Sequence, residues 1–83
     1  MDVGDKRKEL RLALLKDLYE HHFTHKGEPK VIPREPNEDS EHVLAYEYLK
    51  DKGLAEFKVY HKSAYQAKIT ASGIDFVESN NEF

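Results

Sequence analysis

Residues Leu49 to Phe57 read LKDKGLAEF, and within this stretch a helix stops and a strand starts. Lys50 and Lys52 sit where the negative end of a helix dipole favours cations, and Gly53 supplies the left-handed residue that follows a last helical turn. Leu54 is placed to fold back onto the helix just ended. From Phe57 the residues alternate between apolar and polar, the period of a strand with one buried face.

Working backward from this corner, a helix is expected over residues Asn37 to Gly53. Asn37 or Ser40 can cap it, and Glu38, Asp39 and Glu41 place carboxylates in its first turn, at the positive end of the dipole. Val43, Leu44, Ala45, Tyr48 and Leu49 form its expected apolar stripe, leaving Tyr46 outside. The preceding THKGEPKVIPREP is interrupted by Gly27, Pro29, Pro33 and Pro36, which excludes a full helix. Its one apolar pair, Val31 and Ile32, suits a short edge strand or a packed loop. An amphipathic helix is expected from about Asp5 to Phe23, with Leu10, Leu14 and Leu18 at four-residue spacing and Leu12, Leu15, Tyr19 and Phe23 in adjoining positions.

Working forward, EFKVYH sets Phe57, Val59 and His61 against Lys58 and Tyr60, and YQAKIT sets Tyr65, Ala67 and Ile69 against Gln66, Lys68 and Thr70. The link KSA makes the pair a hairpin. Thr70 then caps a short last helix, ASGIDFVES, and NNEF is expected to fray.

Composition bounds the rest. At 83 residues the chain makes one domain, residues 1–83 with a core over about 5–79, and its core is small enough that a second copy is a natural source of added stability. There is no cysteine, which removes disulfides, thiolate metal sites and cysteine nucleophiles together. Charged residues at 35% and a mean hydropathy of -0.81 describe a hydrated surface, and no apolar run is long enough to span a bilayer. A cytoplasmic protein without signal peptide or membrane contact is the expectation. The net charge of -3 is unevenly spread: residues 37–53 hold two Lys/Arg against five Asp/Glu, whereas residues 54–70 hold three against one.

AYEYLKDKGLAEF and ITASGIDFVE, taken with the order helix, extended segment, helix, hairpin and helix, resemble the winged-helix family, particularly small bacterial and phage versions. The likeness covers roughly Glu9 to Ser79. It implies an α+β fold with a long N-terminal helix, a second helix, a two- or three-stranded antiparallel wing and a short C-terminal helix. It also implies a regulatory module that binds duplex DNA, the second helix entering the major groove and the wing touching the backbone. One departure stands out: THKGEPKVIPREP occupies the place of a further helix, so the helix-turn-helix is abbreviated.

The residues themselves divide between two partners. Lys58, Lys62 and Lys68 with Tyr60, His61 and Tyr65 suit a sugar-phosphate backbone, although three lysines make a thin patch and a charged hairpin edge that resists strand pairing accounts for them more simply. Glu38, Asp39 and Glu41 oppose phosphates and fit an unbound helix start or a protein partner instead. Tyr46 and Tyr60 are expected to be exposed and to mark that interface, and a homodimer is a further possibility. His21, His22 and His25 gather at the end of the first helix, where a solvated helix terminus explains them better than a metal. No phosphate-binding glycine loop or nucleophile elbow is present, so neither enzymatic chemistry nor a cofactor is expected.

Overall fold

The computed structural model describes residues 3–34, 40–62 and 64–79, and within them the chain is α+β. The elements run α1 (Val3–Thr24), β1 (Lys30–Pro33), α2 (Ser40–Asp51), β2 (Ala55–Val59), β3 (Ala64–Ile69) and α3 (Ala71–Glu78). The expected cap Asn37, the expected first-turn carboxylates Glu38 and Asp39, and the tail from Asn80 lie outside the described residues.

The two long helices end by the same device. At the end of α1, Lys26 and Gly27 adopt φ of 55° and 84°, and the Gly27 N–H donates to the His22 carbonyl at 2.7 Å. At the end of α2, Gly53 takes φ 76°, its N–H donates to the Lys50 carbonyl, and the Leu54 N–H donates to the Leu49 carbonyl, each at 2.9 Å. This pair of bonds satisfies two carbonyls that the helix leaves orphaned and throws the chain back toward the core, where Leu54 is buried.

Val31 and Ile32 belong to a strand. β1 pairs antiparallel with β3, Ile32 opposite Tyr65, and β2 pairs antiparallel with the other side of β3, Phe57 opposite Ala67. The sheet order is therefore β1-β3-β2. Its inner face carries Ala55, Phe57, Tyr65, Ala67 and Ile69, all buried, and α1, α2 and α3 each pack against it. Leu15 and Leu18 from α1 and Leu49 from α2 are fully buried between the helices and this face.

An aromatic column runs through the core. The Tyr46 ring stacks on Phe57 at 5.1 Å and 10°, and Phe57 stacks on Tyr65 at 4.9 Å and 29°; the Arg34 guanidinium lies 5.1 Å from the centroid of the Tyr65 ring. This corrects the expected stripe of α2. Tyr46 is buried and Leu44 is 57% exposed, while Tyr48 is half-buried under the Arg11 guanidinium, 3.8 Å from its ring centroid. Two apolar stripes overlap on α2, and the one that meets Phe57 faces the sheet. Two other residues assigned to apolar faces also emerge: Phe23 is 58% exposed and Val59 61%, each near the end of its element.

The closing helix is locked to the α2–β2 corner. The Thr70 N–H donates to the Leu54 carbonyl at 3.1 Å, and the Thr70 hydroxyl donates to the Gly53 carbonyl at 2.6 Å. The same hydroxyl oxygen accepts from the Gly73 N–H at 3.0 Å, which is the N-cap expected for α3. Gly73 then lies directly on the corner: a Cβ there would stand 2.1 Å from the Leu54 carbonyl oxygen. Between α1 and α3, the Tyr19 hydroxyl donates to Glu78 at 2.9 Å, and this bond raises the Tyr19 phenol above its ordinary pKa.

Candidate functional site

The β2–β3 hairpin gathers five of the six residues singled out for partner contact. Alternation along β2 buries Ala55 and Phe57 and turns Glu56 and Lys58 to the outer face, where both are exposed. Lys58 stands opposite Gln66, which in turn stands opposite Val31. Lys68, on the same face, is half-buried and opposite Glu56, so one of the three hairpin lysines has a carboxylate as its cross-strand neighbour.

At the tip, the Tyr60 N–H donates to the Ala64 carbonyl at 2.9 Å and closes the hairpin. Tyr60 is 40% exposed, and its ring lies 4.2 Å from the His61 ring. His61 is held at φ 131°, a region that favours glycine, and Lys62 beside it is exposed. Lys58, Tyr60, His61, Lys62 and Lys68 thus share one hairpin. Tyr46 does not join them: it lies beneath the sheet's inner face with 5% exposure, because its ring is the cap of the Phe57 column. Burial, with a smaller effect from the Asp17 carboxylate, pushes its phenol up to about 12.

The outward side of α2 forms a second surface. His42, Leu44, Glu47, Lys50 and Asp51 are exposed there, and Leu44, Glu47 and Asp51 follow one another at helical spacing along one stripe. Leu44 was hidden from sequence reasoning by its place in a run of apolar residues; its spacing to Glu47 and Asp51 was the available signal. Beside Leu44 a shallow groove of about 230 Å³ runs between α1 and α2, lined by Arg7, Leu10, Arg11, Glu41 and Ala45. Its mouth is tied by Arg7, whose Nε and Nη2 donate to Glu41 at 3.3 and 3.2 Å. That bond, and then the charge of Glu41, raises the Arg7 pKa further. Both side chains are about half exposed, and such pairs contribute little to stability.

The histidines at the end of α1 are arranged differently from a chelate. His21 and His25 stack with centroids 4.0 Å apart and planes at 16°, so they present faces to each other, and His25 Nδ1 sits 3.1 Å from the His21 carbonyl. Among the described residues no group of three histidines or carboxylates is placed to hold a metal, and no helix is long and apolar enough to cross a membrane.

No protein-family model, no curated protein and no solved structure matches this chain.

Proposed function

We propose that the chain is a small, non-catalytic regulatory module of the winged-helix type that works chiefly by docking on a protein partner. The order of elements supports the type: a long helix, a strand, a helix closed by Gly53 and Leu54, a hairpin and a capped last helix. The abbreviated helix-turn-helix remains part of this reading, since Lys30–Pro33, within the segment where a further helix would stand, form a strand.

The observation that carries the choice of partner is the outward stripe of α2. A helix that reads base edges lies between two walls of phosphate, where lysine and arginine supply the affinity. Here the corresponding stripe offers Leu44, 57% exposed, followed by Glu47 and Asp51. An exposed leucine rimmed by charge is the composition of a protein contact, and carboxylates at those positions repel a phosphate backbone.

Duplex DNA is the second reading, favoured by the exposure of Lys58, Tyr60, His61 and Lys62 on one hairpin. In that case the wing lies along the backbone and supplies position without base reading.

Fluorescence anisotropy separates the two. Labelled random-sequence duplex is titrated at low and moderate salt with the wild-type chain and with Lys58, Lys62 and Lys68 changed together to Glu. Absence of binding at low salt, with a protein partner held by the wild type and released by Leu44→Lys, is the expected result. Affinity that falls steeply with salt and vanishes in the lysine variant would overturn the protein-first reading in favour of DNA.

A further inference from the structure

The two edges of the sheet are built differently. β1 is guarded, since Pro33 within it has no backbone N–H to offer and Pro29 stands just before it. β2 contains no proline, and among the described residues its one strand neighbour is β3.

Hydrogen-bond parity shows what the β2 edge presents. The Thr70 N–H donates to the Leu54 carbonyl and the Tyr60 N–H to the Ala64 carbonyl, so Leu54, Glu56, Lys58 and Tyr60 turn their peptide groups toward β3. The peptide groups of Ala55, Phe57 and Val59 consequently turn toward the free edge. Glu56 and Lys58 flank Phe57 symmetrically on the outer face, and both are exposed.

We infer that the free edge of β2 pairs antiparallel with β2 of a second copy of this chain, about a two-fold axis at Phe57. In this register Phe57 meets the partner's Phe57 as a hydrogen-bonded pair. Glu56 falls opposite the partner's Lys58, and Lys58 opposite the partner's Glu56. Both are non-hydrogen-bonded positions, where facing side chains come closest. The symmetry forms both ion pairs at once. Moving the axis to Val59 sets Lys58 against the partner's Tyr60 and loses both pairs; moving it to Ala55 sets Lys58 against the partner's Lys52.

The joined outer face then carries a row of Lys68, Glu56, the partner's Lys58 and the partner's Gln66, in which charges alternate and no like charges meet. A lone edge lysine keeps strands apart, but a glutamate two residues away on the same face makes this edge complementary to itself. Ala55 is closed to solvent at 3% exposure and Phe57 is open only at 8%, so the accessible stretch is confined to Glu56–Val59 and the contact is short. The dimer is accordingly a weak one that grows with concentration.

Sedimentation equilibrium over a range of concentrations tests this with the wild type, Glu56→Lys, Lys58→Glu, the double exchange, and an equimolar mixture of the two single variants. Both positions are exposed, and circular dichroism checks that each variant folds. Each single variant should associate about tenfold more weakly than the wild type or worse, and the double exchange should recover in part, because its lysine at position 56 faces Lys68 of the same chain. The mixture should associate better than either component, because one copy then carries two lysines and the other two glutamates. A wild type that stays monomeric to about millimolar concentration, or a mixture that behaves as the average of its components, would overturn the inference.

Discussion

Replacing Gly73 by alanine tests the contact that joins the closing helix to the α2–β2 corner. A Cβ at Gly73 would stand 2.1 Å from the Leu54 carbonyl oxygen and 2.6 Å from Ile69 Cγ1. The first neighbour cannot yield cheaply: it is backbone, it accepts the Thr70 N–H, and it follows the Gly53 turn that ends α2. In an unconstrained helix, alanine in place of glycine stabilises by about 1 kcal/mol. Overpacking against fixed atoms costs about 1–3 kcal/mol and more when backbone must move. With the contact at 2.1 Å the steric cost falls at or beyond the top of that range, giving a net loss of about 2 kcal/mol. For a domain of this size such a loss lowers the melting temperature by about 8–16 °C. Urea unfolding followed by circular dichroism measures it, with Gly53→Ala as the control, because no atom lies within 4 Å of a Cβ there and φ is 76°. That control isolates the left-handed penalty of about 1–2 kcal/mol with no clash. Gly73→Ala as stable as the wild type, or more so, would refute the packing described for the corner.

Thr70→Val keeps the shape of the side chain and removes both bonds of its hydroxyl, so it should cost about 1–2 kcal/mol in urea unfolding, with Thr70→Ser recovering most of it. Tyr46 is neutral in the folded chain up to about pH 12, whereas an unfolded tyrosine ionises near pH 10. Its folded pKa is the higher of the two, so its contribution is complete below about pH 10 and is lost as pH rises through about 12, a loss that solvent screening holds to about 1–2 kcal/mol. Tyr46→Phe should keep the stack on Phe57 and flatten the alkaline limb of stability against pH; an unchanged limb would assign that loss to other groups. His61→Gly should relieve the φ of 131° and raise stability by up to about 1 kcal/mol, a gain tempered by the freedom glycine adds to the unfolded chain.

What the sequence determined by itself was local. Gly53 and Leu54 specify the end of α2 because only a left-handed residue followed by an apolar one closes a helix in that way, whatever lies around it. Thr70 specifies the start of α3 for a similar reason, since its hydroxyl needs only the N–H of Gly73, three residues on. The alternation in Ala55–Val59 and Ala64–Ile69 marks two strands, and with them the hairpin that gathers Lys58, Tyr60, His61, Lys62 and Lys68.

Tertiary structure decided what depends on a neighbour distant in sequence. Val31 and Ile32 form a strand because β3 offers them a free edge, a partner more than thirty positions away that no local pattern announces. Tyr46 turns inward and Leu44 outward because the two stripes of α2 are nearly equal in apolar content, and the ring of Phe57 selects between them. The same selection placed Leu44 beside Glu47 and Asp51 on the surface, and so created the candidate contact face. Periodicity along a chain sets which residues share a side of a helix; which side is buried is set by the shape it packs against.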